Sequence, residues 1–201
     1  MAGGQDLAWL LRAIGTADRA AATEQIEATP SLSVARLPRS HEFFIAECHA
    51  QVYEGDTALH AAAFAYDTEI ARSLVGQGAD VRARNRRGAE PLHAAVTGVP
   101  GSGNWDPKRQ RAVIAYLVEA GADPNAPALG GVTPLHRAVR NRCSAAVDAL
   151  LSAGADPRLP NDNGSTAIEL ARWTTGRGGV GSAAAKAEQR IIVELLKRAG
   201  R

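Results

Sequence analysis

The sequence predicts an all-α protein, a solenoid of stacked helix-turn-helix repeats. Three observations support this class: about one residue in five is alanine, aromatic residues make up only 4% of the chain, and one short pattern returns at regular intervals. Alanine has the highest helix propensity, and its small side chain lets neighbouring helices approach closely. We therefore expect a core of closely packed helices.

The returning pattern is a tetrapeptide that begins at residues 57, 90, 133 and 166 and reads TALH, EPLH, TPLH and TAIE. Successive copies are 33, 43 and 33 residues apart. A GAD tripeptide keeps the same register, at 78–80, 121–123 and 154–156, and a glycine lies two residues before every tetrapeptide. Three markers in one register predict a repeated supersecondary unit.

These markers resemble the ankyrin repeat, a unit of about 33 residues with two antiparallel helices and a T-P-L-H-x-A signature. The resemblance covers roughly residues 55–201, and it implies β-turn fingers between the repeats and a binding mode of action. The local chemistry agrees, because Thr133 suits a helix cap and Pro134 the first helical position. The phrases GDTALHAAAFAY and RNRRGAEPLHAAV are similar to small bacterial ankyrin-repeat proteins.

One domain over 1–201 is expected. Its predicted parts are a degenerate N-terminal capping repeat at 1–40, an inserted segment at 41–54, and repeats at 55–87, 88–130, 131–163 and 164–201. The inserted segment is expected to be a short helix or an extended segment against the first true repeat. The longer spacings place insertions near 97–108 and 174–187, between the two helices of a repeat and therefore on one edge of the stack.

Composition excludes several classes of protein. With 23 basic and 21 acidic residues, the net charge of +2 gives no whole-chain argument for nucleic acid or an anionic membrane. The chain has no apolar run long enough to span a bilayer, and its first residues lack the basic stretch of a signal peptide. Because Cys48 and Cys143 form no disulfide framework, we expect a cytoplasmic protein. We also expect a monomer.

The concave surface of such a stack consists of finger tips and the outward positions of each first helix. The candidate partner-binding residues on it and on the insertions are Phe64, Arg84, Arg86, Arg87, Trp105, Arg140, Trp173 and Arg177. Phe64, Arg140 and Trp173 are the preferred anchors, because aromatic and arginine side chains dominate protein interfaces. The alternative for Phe64 and Trp173 is packing over a neighbouring helix. The expected function is a non-catalytic adaptor or regulator that binds a protein.

An arginine run, Arg82, Arg84, Arg86 and Arg87, lies on one finger, where the side chains are expected to fan into solvent. Such a run can meet an acidic patch, a phosphate or a nucleic-acid backbone, and a solvated turn tip is the alternative. Aromatic residues between the arginines, which a nucleic-acid groove requires, are missing. Weak nucleic-acid binding is therefore a secondary hypothesis.

The glycine-rich stretch GRGGVGS at 176–182 precedes a predicted helix whose N-terminus could bind an anion. It lacks the preceding strand and the Gly-Lys-Ser/Thr of a phosphate-binding loop. Binding of a small anionic ligand by the two glycine-rich insertions, with a weak enzymatic activity, is a further hypothesis. No cofactor is expected.

The tetrapeptide histidines His60, His93 and His136 are expected to hydrogen-bond within and between repeats, as the resemblance implies. Segment 41–49 contains histidine, glutamate and cysteine, but at no recognised metal-ligand spacing. No metal site is predicted. No Ser-His-Asp, Cys-His or paired-carboxylate arrangement is legible either, so we do not expect an enzyme.

Overall fold

The computed structural model describes residues 2–172 and 182–200, and within these ranges the chain forms ten α-helices and one two-stranded sheet. The helices are α1 Ala2–Gly15, α2 Arg19–Ala28, α3 Ala58–Phe64, α4 Thr68–Gly76, α5 Pro91–Ala95, α6 Pro107–Glu119, α7 Pro134–Asn141, α8 Ser144–Ser152, α9 Ala167–Arg172 and α10 Ala183–Ala199. The strands are β1 Phe43–Ile45 and β2 Ala50–Val52. The predicted all-α class is confirmed.

Consecutive helices pair into five repeats, from α1 with α2 to α9 with α10. The first helices α1, α3, α5, α7 and α9 contact one another in that order, and the second helices α2, α4, α6, α8 and α10 do the same. The result is a stack of two helical layers, the solenoid that the 33-residue period predicts. Among the described residues, no helix is both long enough and apolar enough to cross a bilayer.

The core lies between the two layers and repeats with the sequence. Each central first helix buries the leucine of its tetrapeptide, and each central second helix buries one opposite it; these residues are Leu59, Leu92, Leu135, Leu74, Leu117 and Leu150. Each such burial contributes about 2 kcal/mol. Ala62, Ala95 and Ala138 occupy one repeat position and are fully buried. The alanine surplus therefore fills positions where adjacent helices touch.

The cap residue and the tetrapeptide histidine together start each central first helix. At α7 the Thr133 hydroxyl accepts the backbone N–H of His136 at 3.4 Å, while His136 Nδ1 accepts the backbone N–H of Thr133 at 3.2 Å. This is a capping box in which histidine takes the place of the usual glutamate. Pro134 is the first helical residue, where its missing N–H costs nothing.

Each finger is a tight turn, and hydrogen bonds join consecutive fingers. Asn85 N–H donates to Ala89 C=O at 3.0 Å within one finger, and Leu129 N–H donates to Arg87 C=O at 2.9 Å between two fingers. The glycine before the tetrapeptide makes this contact possible. A Cβ on Gly55, whose φ is +84°, would lie 2.9 Å from the Asn85 Cα. Only glycine combines this conformation with so close an approach.

The first finger carries the inserted segment as an antiparallel β-hairpin. Its base is closed like the other fingers, by Leu37 N–H to Asp56 C=O at 2.9 Å and Gly55 N–H to Leu37 C=O at 2.8 Å. Beyond this base, β1 pairs with β2 with Phe43 opposite Val52. Of the two expected conformations, a short helix or an extended segment, the structure shows the extended one.

Candidate partner-binding groove

Three histidines join consecutive repeats beneath the concave surface. Each Nδ1 accepts a backbone N–H at the start of its own helix, and each Nε2 donates to a carbonyl of the next finger, at 3.0 Å for His60, 3.1 Å for His93 and 3.0 Å for His136. Burial lowers the pKa of all three imidazoles, to about 3 for His93. The expected hydrogen-bonding role is confirmed, and both ring nitrogens of each histidine are occupied.

The hairpin folds back over α1. Ile45 and Val52 are buried on its inner side, while Phe44 on the outer side is 51% exposed. The Arg12 guanidinium lies 5.5 Å from the Phe43 ring centroid and 3.7 Å from the Glu47 carboxylate. We expected the segment on the following repeat, and the structure places it against the preceding one. The nearest apolar surface that can bury Ile45 belongs to α1.

Between the hairpin and the fingers runs a continuous concave depression, which we call the groove. One part, of about 230 Å³, lies between the hairpin and α3, and a second part, of about 440 Å³, lies between the fingers and α7. The residues that line both parts are Tyr53, Asn85, Ala89, Thr97 and Arg137. The first part is mainly apolar, with Leu11, Ile45 and Phe64 among its walls.

The second part of the groove contains three arginines, Arg87, Arg137 and Arg140. Arg87 and Arg140 are exposed, whereas Arg137 is half-buried and donates from Nη1 to the His93 carbonyl at 3.1 Å. Burial lowers the Arg137 pKa, and the neighbouring Arg87 and Arg140 charges lower it further. The three guanidinium groups therefore form one cluster of positive charge.

The other arginines of the predicted run are exposed but also bind other groups of the protein. Arg82 Nε donates to the Gly121 carbonyl at 2.8 Å, Arg84 Nε lies 3.0 Å from a Glu90 carboxylate oxygen, and Arg86 forms a bidentate pair with Glu42. The Arg86 and Arg87 guanidinium groups also lie over the Tyr53 ring, at 5.0 and 5.5 Å. All four side chains are exposed, as expected, but each also contacts another residue of the protein: Gly121, Glu90, Glu42 or Tyr53.

Trp105 fastens the insertion of the third repeat to the stack. Its indole Nε1–H donates at 3.0 Å to Oε1 of the fully buried Gln110, whose Nε2 donates to the Ala95 carbonyl at 3.0 Å and to the Tyr66 hydroxyl at 3.2 Å. Tyr66 in turn donates to the Thr97 carbonyl. Trp105 is half-buried, and its remaining surface borders a wide cavity of about 790 Å³. The network holds both ends of the insertion in place.

The remaining predicted site residues have different locations. Phe64 ends α3 and is half-buried, with part of its ring lining the groove. Trp173 and Arg177, together with most of the predicted glycine-rich stretch, lie outside the described residues. In the other insertion, Gly101 lies against Ala184 at the start of α10.

Sequence reasoning missed Arg137. It occupies the x position of the T-P-L-H-x-A signature, where the two preceding repeats have Ala61 and Ala94. These three residues line the groove. A large cation at a position that holds alanine in the two preceding repeats was the available signal.

Within residues 2–172 and 182–200, no three histidine, cysteine, aspartate or glutamate side chains come together to hold a metal ion. Two of the metal-capable side chains on segment 41–49 have other contacts. His41 Nδ1 lies 3.0 Å from the Ser40 hydroxyl, and Glu47 pairs with Arg12.

Comparison with known proteins identifies the repeat. A family model described as ankyrin repeats (3 copies) matches residues 20–128, more than half of the chain, and a second, described as ankyrin repeats (many copies), matches residues 117–171. The NF-kappa-B inhibitor cactus of Drosophila yakuba is 41% identical over 73 residues, which are 36% of this chain and 14% of that protein. The chain thus matches only a small part of its curated relative. On the family match and the fold, this chain belongs to the ankyrin-repeat family.

Proposed function

We propose that this protein is a non-catalytic binding module, an adaptor or regulator, and that its groove holds a segment of a partner protein. The observation that carries the proposal is the groove itself, which combines an apolar part beside Phe64 with a charged part around Arg137. A preformed concave surface binds a partner at little ordering cost.

Two further observations support this function. The histidines of the repeats, the side chains best suited to acid–base chemistry, have both nitrogens occupied by backbone groups. The matched relative is named as an inhibitor of NF-kappa-B, which agrees with a role in regulating another protein. Cys143 is buried as a free thiol, which favours our proposal of a reducing, cytoplasmic setting and of a monomer that needs no disulfide.

Among the sequence candidates, Phe64, Arg87 and Arg140 are proposed as the contact residues. Arg84 and Arg86 are proposed to shape the fingers, because Glu90 and Glu42 already hold them. Trp105 is proposed to position the edge of the surface through Gln110.

Site-specific photocrosslinking tests this function. A photoreactive amino acid replaces Thr97, which lines the groove, or Arg190, which is exposed on the second helix of the last repeat. After irradiation in cells of the source organism, we expect a discrete crosslinked protein from position 97 and none from position 190. Equal crosslinking from both positions would reject the groove as the binding surface.

A further inference from the structure

The arginines of the described residues differ in their partners. Six of them, Arg12, Arg19, Arg36, Arg84, Arg86 and Arg111, each lie within ion-pair distance of a carboxylate. For Arg87, Arg137 and Arg140, no carboxylate lies within 4.0 Å in the described part of the chain. Other arginines there, such as Arg72 and Arg109, also lack a carboxylate partner, but Arg87, Arg137 and Arg140 are the three that together line the second part of the groove.

Among the residues that the structure describes, no acidic side chain lines the part of the groove that contains these arginines. The Asp56 carboxylate raises the Arg137 pKa, but less than either Arg87 or Arg140 lowers it. Asp56 is buried, and its two oxygens already accept from the Asn85 amide at 2.8 Å and the Tyr53 backbone N–H at 2.7 Å. Three like charges held together at a half-buried site favour an anion from outside the chain.

The walls around the arginines identify the kind of anion. Leu129, which is 67% exposed, and Val132 border the charged part, and Arg137 also borders the apolar part beside Phe64. An acidic group that enters here therefore has apolar surface on both sides. Among the described residues that line this part of the groove, the aromatic one is Tyr53, and Arg86 and Arg87 already cover its ring, so it is unavailable for stacking on a nucleotide base.

We propose that the groove binds an acidic segment of its partner, in which an aspartate or glutamate contacts Arg87, Arg137 and Arg140 and an adjacent apolar side chain enters the space beside Phe64. The proposal rests on the proposed function and specifies the partner's chemistry. Guanidinium groups bind carboxylates through charge-assisted, often bidentate hydrogen bonds. The apolar neighbour supplies the buried area that a lone ion pair lacks.

The test uses a displayed library of random linear peptides, selected on the immobilised full chain at low salt. Enriched peptides are then labelled with fluorescein and titrated by fluorescence polarisation against four proteins. These are the wild type, the double variant Arg87→Glu/Arg140→Glu, the control double variant Lys186→Glu/Arg190→Glu on the exposed side of α10, and Thr97→Trp. The control carries the same change in net charge, and Thr97→Trp blocks the groove without changing its charge.

We expect enriched peptides with aspartate or glutamate beside a large apolar residue. Their Kd should rise at least about tenfold in Arg87→Glu/Arg140→Glu and in Thr97→Trp, remain unchanged in the control, and rise with salt. Thermal melts of all four proteins establish that each is folded.

Three results would overturn the inference, and they separate it from the proposed function. Peptides without acidic residues that still lose binding in Thr97→Trp reject the acidic partner but keep the groove. Peptides that bind all four proteins equally reject both. Tighter, arginine-dependent binding of a fluorescein-labelled oligothymidylate than of any selected peptide assigns the cluster to nucleic acid instead.

Discussion

His93 and Arg137 lie in adjacent repeats and are joined by a single hydrogen bond, from Arg137 Nη1 to the His93 carbonyl at 3.1 Å. Their surroundings nevertheless differ completely. The His93 side chain is fully buried and both its ring nitrogens are satisfied by the chain itself, whereas Arg137 faces two other arginines across an open depression.

This difference separates stability from binding within one repeat. Polar groups of the repeat junctions are satisfied inside the protein, so their loss is expressed in the free energy of unfolding. The groove arginines add like-charge repulsion and gain little from the fold, so we expect their loss to lower the affinity for the proposed partner. Four predictions test this division, from the largest expected effect to the smallest.

Mild acid should destabilise the protein through the junction histidines. Their pKa values are lower in the folded protein, about 3 for His93 against 6.5 when unfolded, so the unfolded chain binds more protons below about pH 6.5. Stability is therefore complete above pH 6.5 and decreases as the pH falls toward 3. At pH 5 we expect a loss of about 2 kcal/mol from His93 alone, and further losses in the same direction from His60 and His136. Urea unfolding across this range measures it.

Glu90 provides an internal check on that result, because burial raises its pKa. A carboxyl group with a raised pKa increases the free energy of unfolding as the pH falls, which is the opposite of the effect of the histidines. The variant Glu90→Thr should therefore lose stability more steeply in acid than the wild type. A stability that stays constant between pH 7 and pH 5 would contradict the assignment of neutral, buried histidines.

Replacing the His93 ring should cost far more stability than removing a groove arginine. His93→Ala leaves the Glu90 N–H without its partner, removes one of the two hydrogen bonds to the Val132 carbonyl and opens a cavity, so we expect a loss of about 3 kcal/mol. Arg140→Ala, the matched surface change, should alter the free energy of unfolding by less than about 0.5 kcal/mol. Chemical denaturation of both variants decides the matter, and similar losses would remove the distinction between the two regions.

The cap of the third repeat should improve when its glutamate becomes the threonine found in the repeats on either side. Glu90 is 3% exposed, and its Oε2 has no hydrogen-bond partner within the described residues. Glu90→Thr keeps the cap and removes a buried carboxylate, so we expect about 1 kcal/mol of added stability. Arg84→Ala should weaken the wild type but not this variant. A destabilised Glu90→Thr would show that the Arg84 pair outweighs the cost of burial.

The smallest effect should come from the pair that attaches the hairpin to the second finger. Arg86 and Glu42 are bidentate partners at the surface, where solvent screens the charges. Arg86→Ala and Glu42→Ala should each shift Tm by no more than about 2 °C, and the double variant should do the same. Calorimetry measures these shifts. A decrease as large as that of His93→Ala would mean that the pair belongs with the junction interactions.

The central repeats could be predicted because their causes are local. A capping residue, an alanine or proline at the first helical position, a buried leucine and a glycine that meets the next finger recur with each central tetrapeptide, and each acts within a few positions of itself. The helix pairs, the fingers and the role of the histidines follow from that sequence pattern.

The residues of the groove could be predicted only in part. Phe64 and Arg140 follow from the repeat template, because outward positions of first helices recur in register. In the sequence, Arg137 is one residue of a predicted helix. The cluster of positive charge becomes apparent only when the folded stack brings Arg87 beside it. The partners of Arg84 and Arg86 come from Glu90 and from the inserted hairpin, which the template does not contain.

The sequence by itself determined that this chain is an ankyrin-repeat solenoid, since a period needs only local signals and contacts between neighbouring repeats. Tertiary structure decided where the hairpin lies, which finger arginines are neutralised and which three charges remain in the groove. Those outcomes depend on contacts between residues more than 40 positions apart, such as Arg86 with Glu42 and Arg137 with His93. Charge pairing at that range is set by geometry, and a repeat pattern does not encode it.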